Sequence, residues 1–364
     1  LDWLEQNPTL FILDGYDEVA DNSSAILSNF FSAILSLKVS YLMTSRPLNI
    51  DKLENQAIRF NRNLECMGFT NENIKAFVKD YFNQLKKPDA IKPLLEFLEA
   101  QPSIWGTAHV PINLELISWA WSQGEFNQNL KTLTQLYQFI VKRRIEVEQD
   151  KPQDKIKLDG QAKLASAEIY AKLQHARAFL RFLAYHVMQQ HSLILSGSFI
   201  REQLQAFLRT QQASEPELLL QSEALLSACY QLGLIKSTGE GGRKPIDQSH
   251  YFIHLSFQEF LAGEYVAAHI KALHYRQLDK EAREALITFI HQTKRESSYK
   301  VMWWFVAGAL HEIEANNLPL LQTFFDLLLE EPRAETEPTE LNLLVRCLDE
   351  AQMPAITRRN AILG

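Results

Sequence analysis

The chain has 364 residues, 46% of them hydrophobic and 22% charged, enough to bury a large core spread over about two to four domains. Its net charge of −7 excludes strong nonspecific binding to nucleic acid or to an anionic membrane surface. Cys66, Cys229 and Cys347 are far apart and form no C-x-x-C pair, which excludes a disulfide framework or thiolate metal site and fits a reducing, cytoplasmic compartment; no apolar run approaches the roughly 18 residues of a membrane span.

The first predicted element is a strand. Leu10, Phe11, Ile12 and Leu13 form an unbroken apolar run, the pattern of a parallel strand buried on both faces, and it stops at Asp14-Gly15 with an acidic pair, Asp17-Glu18, close behind. Asp14 is then the first residue to meet water at the carboxyl end of the strand, the edge where open α/β sheets bind ligands. A carboxylate there can hold hydrated Mg²⁺, an ion bound through one or two carboxylates plus phosphate oxygens. Asp17 and Glu18 can polarise a water or hold it by hydrogen bonds. The same residues also fit a polar turn that binds nothing. Ile26, Leu27, Phe30, Phe31, Ile34 and Leu35 recur on one face of an amphipathic helix, and Val39 to Met43 form a second short apolar run ending in Thr44-Ser45-Arg46-Pro47. Strand, helix and strand make a βαβ unit whose right-handed crossover puts both strand ends on one edge, so Arg46 is expected beside Asp14. A cation in that place can pair with a terminal phosphate and stabilise charge that develops during transfer.

LFILDGYDEV resembles the Walker B segment of NACHT nucleotide-binding domains, and YLMTSRP resembles their sensor strand with its arginine. The resemblance implies that Asp14 is the Mg²⁺ acid, that Asp17 and Glu18 are the acidic pair supporting hydrolysis, and that Arg46 senses the γ-phosphate. It also implies a STAND-class P-loop switch NTPase that holds ADP when closed and self-oligomerises in the ATP state, with ATP/ADP and Mg²⁺ as cofactors. Residues 1–67 are expected to be the C-terminal half of that nucleotide-binding domain. No G-x-x-x-x-G-K-[ST] occurs in the chain, and the nearest glycine cluster, Gly239 to Lys244, has the wrong spacing and no strand before it. Without the backbone N–H cradle and the lysine, this stretch is expected to bind nucleotide weakly and to be inactive alone. The P-loop half and any effector are expected upstream of Leu1; the competing expectation is a degenerate protein that never had a P-loop.

Residues 68–150 read as a small helical domain. Phe69 and Ile74 bracket Thr70 as a hydrophobic staple around an N-cap, and Ile74, Phe77, Val78, Tyr81 and Phe82 continue as a helical stripe. GFTNENIKAFVKDYF resembles the start of the helical domain that follows the NACHT core. Pro111, in HVPINLELISWAW, fits a proline in the first turn of a further helix. By the resemblance a proline at this junction packs near adenine and ribose, a role carried to Pro111, although Gly106 does not reproduce the family's Gly-x-Pro spacing. Residues 151–164, opening with KPQDKIKLDG, are polar and charged and read as a linker.

Residues 165–268 read as a winged helix: a long stripe from Ile169 to Val187, a short run at Leu193 to Leu195, helices at Phe199 to Leu208 and Glu217 to Leu232, a strand at Leu234-Ile235, a Gly-rich loop, and a returning strand at Tyr251 to Ile253. Such modules often bind DNA, but Ala165 to Ala268 carry eight Lys/Arg against nine Asp/Glu, a poor surface for tracking phosphates. In FIHLSFQEFLAGEYVAA, Ser256 and Glu259 form an S-x-x-E capping box, with Leu255 and Phe260 as its staple. His254, at the strand-to-helix junction, fits a core histidine bonded to a backbone carbonyl. This stretch also resembles the NACHT-protein sequence HLSFQEFLAA, whose histidine reaches the β-phosphate of ADP, a role the resemblance carries to His254. His250, four residues earlier, has no third or fourth ligand that would complete a metal site.

Residues 269–364 read as stacked helices, at Tyr299 to Ile313, Leu318 to Leu329 and Thr339 to Leu348, forming a helical domain that leads toward a solenoid. Trp303, Trp304 and Phe305 fit the core rather than a recognition surface. The expected fold is thus α/β followed by mostly α: a partial P-loop NTPase sheet, a helical domain, a winged helix and a solenoid-like end. The expected function is an ATP/ADP-dependent oligomerisation switch in innate immune or antiphage signalling, set off by an unidentified ligand or protein. The alternative is a non-hydrolytic helical interaction scaffold with a degenerate nucleotide domain.

Overall fold

The computed structural model describes residues 7, 9–14, 33, 40–45, 60–124, 130–149, 159–190, 193–212, 217–239, 243–313, 318–329 and 338–353. The chain divides into two compact units, Leu1–Cys66 with Gln190–Leu193, and Met67–Gln189 with Ile194–Gly364.

In the first unit, β1 (Leu10–Leu13) and β2 (Ser40–Met43) pair in parallel, Leu10 opposite Ser40 and Leu13 opposite Met43. The Thr44 N–H extends the ladder to the Leu13 carbonyl at 2.9 Å. Asp17, Glu18 and Arg46 lie outside the described residues, as does the helix expected from Ile26 to Leu35. The expectation of strands buried on both faces is corrected: Leu10 is 58% exposed, Ile12 67% and Leu42 52%, whereas Phe11, Leu13, Tyr41 and Met43 are half-buried. Side chains alternate along a strand, so one register packs and the other faces solvent.

The second unit opens with five helices: α1 (Asn71–Gln84), α2 (Ile91–Ala100), α3 (Pro102–Ala108), α4 (Pro111–Ser122) and α5 (Leu133–Gln149). Thr70 caps α1 as its composition predicts, its hydroxyl accepting from Asn73 N at 3.2 Å, and Ile74, Val78 and Phe82 form the buried stripe. Before that cap, Phe69 donates its N–H to the His109 carbonyl at 2.8 Å. Gly68 has φ +83°, and a Cβ there would run into the same carbonyl, so only glycine fits this turn.

Next come α6 (Asp159–Gln190), α7 (Gly197–Thr210), α8 (Leu218–Leu232), β3 (Ile235–Ser237), β4 (His250–Phe252) and α9 (Leu255–His274). Residues 159–164, read from composition as linker, belong to α6; polar residues are compatible with a helix's opening turns. Leu173, Ala176, Phe179, Leu180, Leu183, Ala184 and Val187 of α6 are all fully buried. β3 and β4 are antiparallel, and Leu195 adds a single bridge to His250. An ion pair of 2.5 Å between Arg177 and the buried Glu264 ties α6 to α9.

The last described helices are α10 (Lys280–Thr293), α11 (Lys300–Ile313), α12 (Leu318–Leu329) and α13 (Pro338–Glu350). α11 is the hub: it packs chiefly on α9 and α13, and also on α5 and α12. Two glycines permit that density. Gly263 of α9 abuts Phe305 and the Met302 backbone, and Gly308 abuts Thr134 of α5, where a Cβ would overlap the threonine side chain. Trp303 and Phe305 are fully buried, and Arg346 lies 5.6 Å from the ring centre of Trp304. Glu350, ending α13, caps α5: its carboxylate accepts from Leu133 N at 3.0 Å, Thr134 N at 2.9 Å and Thr134 Oγ1 at 2.6 Å. Among the described residues no helix is long and apolar enough to cross a membrane.

Candidate functional site

Asp14 follows β1 directly and Thr44 follows β2, so the parallel pairing places both at the carboxyl edge of the same two-stranded ladder. The Thr44 hydroxyl donates to Asp14 Oδ1, which fixes the carboxylate across the strand ends. Asp14 itself is exposed. A carboxylate and a hydroxyl at a sheet edge are hard oxygen donors, the set that suits Mg²⁺ when phosphate oxygens and water complete six-fold coordination. Thr44 carried no candidate role in the sequence. Its signal was its place immediately after the second apolar run, level with Asp14 once the strands are taken as parallel.

In the second unit, His254 is not downstream of a free helix start; it is the start. The imidazole is the N-cap of α9, with Nδ1 accepting the Ser256 N–H at 3.1 Å. This corrects the Ser256–Glu259 capping box: Ser256 stands inside the first turn, and its Oγ lies 2.6 Å from His254 Nδ1 and 2.6 Å from the Tyr137 hydroxyl. The histidine displaces serine as cap because Ser256 Oγ is drawn into the buried bond with Tyr137. An Nδ1 that accepts a backbone N–H carries no proton, so a neutral His254 has its proton on Nε2. A second proton on Nδ1 would turn the acceptor into a donor and put positive charge at a helix N-terminus, which is unfavourable on both counts.

Tyr137 is fully buried among Phe257, Phe260 and Phe305, with ring centres 5.0, 5.6 and 5.1 Å away. Burial pushes its phenol well above the usual range, so it remains a neutral donor. Its oxygen also lies 3.0 Å from Asn113 Oδ1. Asn113 sits on α4, two residues after Pro111. A buried polar chain therefore runs from α4 through Tyr137 and Ser256 to His254, joining the helix that Pro111 begins to the cap of α9. Pro111 is at the first position of α4, where its missing N–H costs nothing, and it is exposed. A cavity lined by Val110, Asn113, Lys131, Thr132, Arg346 and Glu350 among others holds about 190 Å³.

His250 is fully buried, and its Nε2 lies 2.5 Å from the Tyr230 hydroxyl, which occupies the position that a metal would need. Burial pushes its pKa down.

Residues 3–84 match the family model of the NACHT domain. The matched stretch contains both strands, Asp14, Thr44 and the whole of α1, so this part of the chain is similar to a NACHT domain. No curated protein matches the chain.

Proposed function

We propose that the chain works as part of a NACHT-type ATP/ADP-dependent switch, with nucleotide and Mg²⁺ held at the carboxyl edge of β1 and β2. The observation that carries this reading is the Asp14 carboxylate, set at that edge and oriented by the Thr44 hydroxyl. Asp14 would hold Mg²⁺, which would supply positive charge to offset that of the phosphates. Asp17 and Glu18 polarise the attacking water or hold it by hydrogen bonds, and Arg46 pairs with the γ-phosphate and stabilises charge that develops during transfer. Pro111 lies against base and ribose.

In the same reading, residues 165–268 form a winged helix, supported by the order of α6, α7, α8, β3 and β4, and residues 269–364 form the helical domain. His254 contacts the β-phosphate of ADP. With Nδ1 accepting the Ser256 N–H, a neutral ring carries its proton on Nε2, and that is the donor we assign to a phosphate oxygen. ADP thereby favours the closed arrangement, and ATP with an activating ligand or protein favours self-oligomerisation and signalling of the innate immune or antiphage kind.

The test is nucleotide binding by the full-length protein, by calorimetry with ADP and with Mg-ATP. Asp14→Ala is expected to abolish the Mg²⁺ dependence of ATP binding and to stop hydrolysis while leaving ADP affinity largely intact. Absence of nucleotide binding in the intact wild-type protein would end the switch reading and leave the helical scaffold.

A further inference from the structure

The C-terminal end of α9, the first half of α10 and the second half of α12 enclose a cavity of about 560 Å³, within the range of small-molecule sites. Leu273, Leu278, Ile287 and Leu327 supply an apolar wall, while Arg276 and Arg283 both line it and are exposed. Two guanidinium groups over an apolar surface invite an anion, unless neighbouring acids already satisfy them. The acids nearby each have another partner, although Asp326 keeps its negative charge on the cavity wall. Asp279 caps α10 by accepting Ala282 N at 2.8 Å, Glu284 pairs with Lys280 at 3.9 Å, and Asp326, on the cavity wall, accepts from Gln322 Nε2 at 2.7 Å. Among the described residues neither arginine forms an ion pair, and burying an anionic head between them would create charge-assisted hydrogen bonds of the fork-to-oxygen kind.

The remaining polar pair on the wall is satisfied within the protein. Thr323 Oγ1 donates to the Pro319 carbonyl at 3.1 Å, so its oxygen accepts from His274 Nδ1 at 2.8 Å, and His274 is held in place on the cavity wall. We propose that this cavity is a binding site for a small amphipathic anion, its carboxylate or phosphate head held by Arg276 and Arg283 and its hydrocarbon body laid against Leu273, Leu278, Ile287 and Leu327. The head alone would leave the apolar wall wet, and the body alone would leave two cations unpaired, so both parts are required for affinity. The ligand is a free molecule, because a cavity of this size encloses one short chain and its head.

Octyl phosphate, inorganic phosphate and octyl glucoside serve as the probes, titrated by calorimetry into the full chain. Octyl phosphate is expected to bind saturably with one site per chain, and the head-only and body-only probes at least about ten-fold more weakly. Arg276→Gln and Arg283→Gln are each expected to weaken octyl phosphate about ten-fold or more, the effect of removing one charge-assisted contact. Both side chains are exposed, and glutamine is compatible with the left-handed conformation of Arg276 (φ 57°), since Gln212 and Gln352 adopt it at φ 63° and 49°. An unchanged urea midpoint confirms that the variants remain folded. The proposal is overturned by no saturable binding of octyl phosphate, by undiminished binding to the double variant, by inorganic phosphate binding as tightly, or by binding only to anionic phospholipid vesicles.

Discussion

Replacing Glu350 by alanine removes one acceptor group from three donors at once: Leu133 N, Thr134 N and Thr134 Oγ1. Loss of a helix cap costs about 1 kcal/mol, and stranding a buried donor costs about 1–3 kcal/mol more, against which stands the relief of desolvating a buried carboxylate. The net expectation is a destabilisation of about 2–3 kcal/mol for Glu350→Ala and about 1 kcal/mol for Glu350→Gln, which keeps one acceptor oxygen. Burial is the strongest influence on Glu350 and raises its pKa above the ordinary 4.5, although the Thr134 and Leu133 donors lower it. As pH rises the unfolded chain ionises first. The contribution of Glu350 to stability is therefore fully present below pH 4.5 and is lost as pH rises through the folded-state pKa. Urea unfolding at several pH values, together with amide exchange at Leu133 and Thr134, checks the argument. Glu350→Gln should close the gap to the wild type as pH rises from 4.5 toward neutrality. A Glu350→Ala protein within about 0.5 kcal/mol of the wild type, with unchanged exchange at the first turn of α5, would refute it.

Gly308→Ala gains helix propensity of up to about 1 kcal/mol but drives a methyl into Thr134, so a net loss of about 1–2 kcal/mol is expected in urea unfolding, with faster exchange at Thr134 as the local sign. Burial holds His186 and His250 below the ordinary histidine value of 6.5, with His269 adding to the effect on His186. The unfolded chain therefore takes up protons first as pH falls. Stability should drop below pH 6.5, and His186→Phe, set beside Phe182, should make that drop shallower in denaturant titrations at pH 7 and pH 5.

The helices from α6 onward, α10 excepted, were legible because each carries an apolar stripe: Leu173 to Val187 is a helical face in any context, and the core of α11 follows from VMWWFVAGAL. The acid at the end of β1 was legible for a related reason, since an apolar run that stops at a carboxylate marks a strand end. The uneven burial of β1 was not, because a run of four apolar residues looks the same whether one face or two are covered. The cap of α9 was misassigned because serine is the commoner cap and the sequence does not show that Tyr137, 119 residues away, holds Ser256 Oγ. Glu350 over α5 and the arginines around the cavity at the end of α9 were hidden for the same reason: each depends on a tertiary contact between stretches with no local pattern in common.

The assignment of His254 to the diphosphate faces its most direct test in His254→Asn, since asparagine is itself a good N-cap and separates the structural role of Nδ1 from the role proposed for Nε2. ADP affinity and unfolding midpoint are measured together in the full-length protein. The account predicts an unfolding midpoint close to that of the wild type, ADP binding weakened about ten-fold or more, and oligomers that form with ATP without the activating ligand. Unchanged ADP affinity in a folded His254→Asn protein would contradict it.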